Sequence, residues 1–291
     1  MSDGPAFGTR APGALQSIGT PGGRSRPSRF NRGKLAAWII FILGMLYFFL
    51  PLVVTFFFSL RLQPTGRAYT NVLFKDPRFA SSLIYSFTIG LITIAISILL
   101  LVPTAYWVRL RVPRLRPYVE FITLLPFVIP PVILVFALLR AFAGPPLPLT
   151  GTHDGLNVLV IAAYVVLSFP YMYRAVDSGL QAIDIRALTE AAQSMGAGWG
   201  RILWSVILPN LRVALLSGAF LTLAIVIGEY TIASFLVRPA FGPYLSLLGR
   251  DKAFEPAAVS IISFGLTWAA MGVIAFLGRG SKNSVQVAGA R

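Results

Sequence analysis

Six apolar stretches dominate the chain, near residues 36–60, 83–107, 118–142, 156–173, 211–237 and 257–278. A helix needs about 20 apolar residues to cross the hydrocarbon layer, within a range of about 17–25. The pattern therefore predicts an all-α polytopic membrane protein with six transmembrane helices. Composition agrees: 12% of the residues are charged, where a soluble domain carries about 25%. The 56% hydrophobic content also excludes a disordered chain, which needs low hydrophobicity. The fourth stretch is the shortest and ends in Phe169-Pro170-Tyr171. The third contains Pro126, Pro130 and Pro131, which remove backbone hydrogen bonds and predict a kinked helix packed against neighbours.

Basic residues set the expected orientation. Residues 1–35 are rich in Gly, Pro, Ser and Arg without an apolar period, as expected of a disordered basic tail. It is not a secretory signal, because the apolar run after it is too long and no A-x-A site closes it. With the N-terminus in the cytoplasm, 17 of the 25 Lys and Arg fall on the inner side and 8 on the outer side. This places both termini in the cytoplasm. The net charge of +15 then reads as topogenic, and nothing in it requires nucleic acid. The first outer loop, with Arg61, Arg67, Lys75 and Arg78 against Asp76, runs against the trend. The expected segments are the tail 1–35, the first helix and the start of an outer loop 36–67, a five-helix core 68–278, and a cytoplasmic tail 279–291.

Most chemistry is excluded. There is no Cys and a single His, His153, so disulfides, thiolate nucleophiles and multi-histidine metal sites are absent. Ser217-Gly218 lacks the glycine two residues upstream that a nucleophilic serine motif shows. No G-x-x-x-x-G-K-[ST] loop is present: Gly33-Lys34 is followed by Leu35. The expectation is a transport component without catalysis of its own and without a bound cofactor. A stand-alone secondary transporter is the remaining alternative.

That alternative leaves the inner loop, residues 174–210, unexplained. Leu180, Ile183, Leu188, Ala191, Ala192 and Met195 recur at helical spacing, and the pattern resumes after Gly196-Ala197-Gly198 at Trp199, Ile202, Leu203 and Val206 before Pro209. Two short amphipathic helices joined at a glycine hinge fit this spacing. Such a loop offers a surface to a cytoplasmic partner or to lipid headgroups. Ala191, Ala192 and Gly196 are small enough for a partner to approach the backbone closely.

Glu190-Ala191-Ala192, three residues, Gly196, nine residues, then Val206-Ile207-Leu208-Pro209 resembles the EAA loop of binding-protein-dependent ABC importer permeases. Val206 stands where the family usually has Ile. Pro103-Thr104-Ala105-Tyr106 and Leu125-Pro126 to Pro131 resemble the family's second and third spans, and the resemblance extends over about residues 68–278. It implies a type I importer fold with two permeases, copies or paralogues, facing each other. It also implies two separate ATPase subunits carrying ATP and Mg2+, and an extracytoplasmic substrate-binding protein. Glu190, Ala191, Ala192, Gly196, Ala197, Leu208 and Pro209 would form the ATPase-coupling element. The branch it looks most like is the spermidine/putrescine type, so a polyamine is the first expected substrate. Iron(III), phosphonate and sulfate-type oxyanions are the alternatives.

Glu229 is the one acidic residue expected deep in a span, about 12 Å from the outer end at 1.5 Å per residue. An intramembrane carboxylate is a candidate site, and Tyr230, Thr231 and Ser234 are its candidate neighbours on the translocation path. The competing reading pairs Glu229 with Arg140 or Arg238, or leaves it protonated. Tyr164, Ser168 and Tyr171 are weaker candidates for the path. Asp184 and Arg186 read as solvated loop charges, Thr189 as a local cap, His153 as an exposed loop residue, and Glu120 as a surface partner of Arg114 or Arg116.

Overall fold

A computed structural model describes residues 32–279. The chain divides into two units, Met1–Leu50 and Pro51–Arg291. Of the first, helix α1 (Arg32–Ser59) contributes an uncharged apolar run from Trp38 to Leu50. Of the expected tails 1–35 and 279–291, residues 1–31 and 280–291 lie outside the described residues, and the first helix already begins at Arg32.

Among its described residues the second unit's regular structure is all helical, joined by turns and short extended stretches. Helix α2 (Pro77–Arg111) starts cleanly because Asp76 caps it, accepting from the Arg78 amide at 3.0 Å, with Pro77 in the first turn. Next come α3 (Arg116–Val128), α4 (Pro131–Ala141), α5 (His153–Gln181), α6 (Ile185–Ser194), α7 (Arg212–Gly228), α8 (Phe241–Asp251) and α9 (Glu255–Arg279). Helices α2, α5 and α7 pack against one another as the centre of the unit. Close approach of α5 and α7 depends on glycine: a Cβ at Gly179 would meet Ala214 Cβ at 2.6 Å, and one at Gly218 would meet Met172 Sδ at 2.8 Å.

Among the described residues three helices are each long and apolar enough to cross a membrane: Lys34–Ser59, Pro77–Arg111 and His153–Gln181. Two of the expected spans are broken: the third, expected to be kinked, and the fifth, expected to be continuous. The third stretch is two helices bent by 96°, because Ile129 and Pro130 are extended and Pro130 and Pro131 deny α3 a continuing hydrogen-bond ladder. The fifth stretch stops at Gly228, after which Glu229 is extended and a short helix, Thr231–Phe235, follows. The segment preceding it, Trp199–Asn210, meets α7 at 78°. The fourth stretch corrects the sequence reading in the opposite sense. It runs unbroken for 29 residues through a buried Pro170, so the inner loop begins after Gln181 rather than at 174.

Candidate functional site

The loop between α5 and α7 is built from its sequence period. In α6, Ile185, Thr189 and Ala192 are buried at positions i, i+4 and i+7, while Arg186, Glu190, Ala191, Gln193 and Ser194 are exposed. The buried face joins an apolar cluster with Tyr106 of α2, Leu180 of α5, and Ile202 and Ile207 of the second arm. Asp184 is a structural cap rather than a free charge: its carboxylate accepts from the Ala187 amide at 3.0 Å. Thr189 is no cap. Its hydroxyl donates to the Ile185 carbonyl at 2.6 Å and lies 2.9 Å from the Tyr106 hydroxyl, which ties α6 to α2.

The hinge is a helix stop of defined geometry. Gly196 has φ +78°, its amide donates to the Gln193 carbonyl at 2.9 Å, and the Ala197 amide donates to the Ala192 carbonyl at 3.0 Å. This pair of bonds is the Schellman arrangement, whose left-handed residue favours glycine. A Cβ at Gly196 would meet nothing within 4 Å, so the requirement comes from backbone conformation and not from crowding inside the chain. Hydrogen exchange is expected to show less protection of Ile185–Ser194 in Gly196→Val and near-native protection in Gly196→Asn, since Asn tolerates this conformation.

Beyond the hinge, Trp199 seats the second arm. Its ring lies 5.5 Å from Trp107 and 6.2 Å from Tyr106, with the Arg111 guanidinium 4.9 Å over its face. Ala197 and Leu208 are half-buried against the same apolar cluster, and Pro209 is exposed. The coupling candidates therefore divide. Glu190, Ala191, Gly196 and Pro209 face outward, whereas Ala192 is 3% exposed and packs inward. The small size of Ala192 serves the loop's own packing, which corrects the expectation that it receives a partner.

The same end of the molecule holds a charge cluster that sequence reasoning missed. Asp177 of α5 accepts from Arg109 Nη1 at 3.0 Å, Arg116 Nη2 at 2.9 Å and Gln181 Nε2 at 2.6 Å. Arg116 also donates to Glu120 at 2.8 Å. Glu120 was legible from its i, i+4 spacing. Asp177 was not, since its partners lie 61 and 68 residues away in sequence.

At the other end, Glu229 sits at the break after α7. Its carboxylate accepts from the Tyr164 hydroxyl at 3.0 Å, from the Ile232 amide at 2.9 and 3.0 Å, and from the Ala233 amide at 3.2 Å. Among the described residues it makes no ion pair with Arg140 or Arg238. Arg238 is buried and turns to the Leu236, Val237 and His153 carbonyls, to Asn157 Oδ1 at 3.4 Å, and to His153 Nδ1 at 3.3 Å. Tyr230 is exposed, Thr231 and Ser234 are half-buried, and Tyr230 lines a cleft with Ser246, Ser260 and Thr267. The structure thus brings Tyr230 to a cleft and commits Glu229 to the backbone. Ser168 is paired with Ser97 at 2.7 Å inside the helix packing.

In the basic loop before α2, Asp76 is the one acidic residue. Burial would raise its carboxyl, but the hydrogen bonds and charge of Arg78, with the Tyr244 hydroxyl, outweigh this and hold it below its usual value. The cap is therefore complete at neutral pH and is lost as pH falls through that lowered value. Asp76→Ala is expected to cost about 1 kcal/mol of helix stability, read as earlier thermal unfolding at neutral pH, with the deficit vanishing in acid.

Comparison with known proteins supplies the context. Residues 102–281 match the family of binding-protein-dependent transport system inner membrane components. PhnV of Salmonella typhimurium, named as a 2-aminoethylphosphonate transport system permease protein, is 28% identical over 248 residues, 81% of this chain and 91% of PhnV. The molybdenum transport system permease protein ModB of Escherichia coli is 31% identical over 118 residues, 36% of this chain and 49% of ModB. A chain in the structure of a bacterial ABC transporter involved in alginate import shares the fold, with a TM-score of 0.63 at 15% identity over 88% of this chain and 98% of the other. The family match spans the loop, its Tyr106 anchor and the Glu229 break alike, and the chain belongs to the binding-protein-dependent transport system inner membrane components, the non-catalytic permeases of ABC importers.

Proposed function

We propose that the chain forms half of a substrate path through a bacterial inner membrane, opposite a copy or a paralogue, and couples through α6 and its hinge to a separate ATPase that holds ATP and Mg2+. The observation that carries this reading is the division of faces on α6. Ile185, Thr189 and Ala192 fix the helix to the body, and Glu190, Ala191 and the exposed Met195 are left for a partner. With the loop on the cytoplasmic side, both termini lie inside, and the binding protein meets the opposite end. Two ATPase subunits then serve two permeases. Tyr230, Thr231 and Ser234 line the path beside the cleft, with Glu229 shaping it from behind.

For substrate, the reading moves to a small oxyanion. PhnV and ModB are named for a phosphonate and for molybdenum, and molybdenum in water is carried as an oxyanion. The polyamine expectation came from the branch resemblance with Glu229 as mild support, and the Glu229 oxygens are occupied by amides and a phenol. The test is uptake by vesicles holding the assembled transporter with its binding protein. ATP-dependent uptake of 2-aminoethylphosphonate or molybdate, and none of spermidine, is expected. Spermidine uptake alone would restore the polyamine reading, and uptake of any of these solutes by the chain without an ATPase would sink the coupling reading.

A further inference from the structure

We propose that Asp177 is a positioning residue for transport: it clamps the start of α3 to the root of the coupling loop, so that the broken third segment moves with the loop. This rests on the coupling reading of α6. Asp177 lies in the last turns of α5, eight residues before α6 begins. Both its oxygens are engaged, Oδ1 by Arg109 of α2, and Oδ2 by Arg116 of α3 and by Gln181. The side chain is 13% exposed. With Glu120 on Arg116, two cations face two anions and the cluster is neutral.

A buried ion pair is weak as a source of stability, because apolar side chains of similar volume serve as well. What it supplies is fixed geometry between the elements that carry the charges. Helix α2 has other ties to the loop, through Tyr106 to Thr189 and Arg111 over Trp199. Helix α3 has apolar contacts, Val119 on the loop's cluster and Phe127 against Tyr171 of α5 at 5.4 Å, but among the described residues Arg116 to Asp177 is its one side-chain hydrogen bond to another helix. Helix α3 is also the near arm of the 96° bend. The far arm, α4, packs on the short helix after Glu229, with Phe136 and Phe235 5.3 Å apart. A displacement of the loop reaches α3 through Asp177, crosses the bend, and arrives at the segment carrying Tyr230 and Ser234. Coupling carried this way needs a contiguous set of rigid contacts, and Asp177 is the joint at its start.

The test uses the complete transporter with its ATPase and binding protein. Arg109→Gln with Asp177→Ala removes one charge of each sign and leaves the Arg116–Glu120 pair, so no buried charge is stranded. We expect the ATPase to co-purify and ATP turnover to stay within about twofold, while solute moved per ATP falls about tenfold or more. A merely structural Asp177 would lower assembly and leave transport per ATP at the native value, and that result overturns the clamp. Where this variant fails to assemble, the native clamp is measured directly. The chain has no Cys, so Tyr118→Cys and Ala182→Cys, both exposed, accept a pair of spin labels without further change. Their separation is expected to hold when the complex is trapped with ATP, and a shift of about 3 Å or more overturns the proposal. Failure of the native chain to bind the ATPase at all would strike the coupling reading itself, a result separable from both.

Discussion

Ala192→Asp is expected to abolish uptake by unseating the whole loop, while Ala191→Asp, one residue away, is expected to abolish it without disturbing the fold. Ala192 is 3% exposed and belongs to the cluster formed with Tyr106, Leu180, Ile202 and Ile207. The cluster around it is apolar apart from the Tyr106 hydroxyl, which is already engaged with Thr189, and burying a polar group without a partner costs about 2–7 kcal/mol. The side chain escapes only by lifting α6 from α2, which also breaks the Tyr106–Thr189 contact. Ala191 points outward, so its Asp is solvated and acts only on whatever docks there. Trypsin separates the two. Arg186 and Arg201 flank the hinge and are exposed, and cleavage at both is expected to accelerate in Ala192→Asp and stay native in Ala191→Asp, with the ATPase lost from both. Native uptake by Ala192→Asp would show that the loop does not seat on α2. Native ATPase retention by Ala191→Asp would show that the outward face is not the docking surface.

That contrast marks the limit of what spacing reveals. The helices, the hinge at Gly196 and the apolar period of the loop were all legible, because each depends on residues within one or two turns of each other. Which alanine of Ala191-Ala192 faces inward was not, since both fit an apolar stripe and the choice is made by Tyr106, some 85 residues earlier in the chain. The same distance hid Asp177, read as nothing more than a residue of the inner loop until Arg109 and Arg116 are brought beside it. The broken third and fifth segments show a different failure. Pro126, Pro130 and Pro131 announced a kink, and the bend reached 96° because two adjacent residues became extended rather than one bond being lost. The break at Gly228-Glu229 carried no proline. Its cause is a carboxylate that takes up the amides of the next short helix, a tertiary arrangement with Tyr164 from another element.

Glu229 therefore yields the second large effect, and its direction separates a structural carboxylate from one that meets the substrate. Glu229→Ala strands the Ile232 and Ala233 amides and the Tyr164 hydroxyl, a residue 2% exposed. Each buried donor left unpaired costs about 1–3 kcal/mol, so the loss is about 3 kcal/mol or more, and little assembled transporter is expected. Glu229→Gln keeps one acceptor oxygen but turns an NH2 toward donors, and Tyr164→Phe removes one donor while leaving the carboxylate on its two amides. Both are expected to lower thermal stability by about 1–3 kcal/mol and to reduce the amount of assembled protein. In the protein that does assemble, KM for the solute should stay native, because the carboxylate faces the backbone and not the cleft. Tyr230→Ala is the contrasting case: Tyr230 is exposed at that cleft, and its loss should raise KM with stability near native. A Glu229→Gln protein of native stability with a raised KM or an altered choice of solute would reverse the assignment, making the carboxylate a substrate contact and the amide bonds its resting partners.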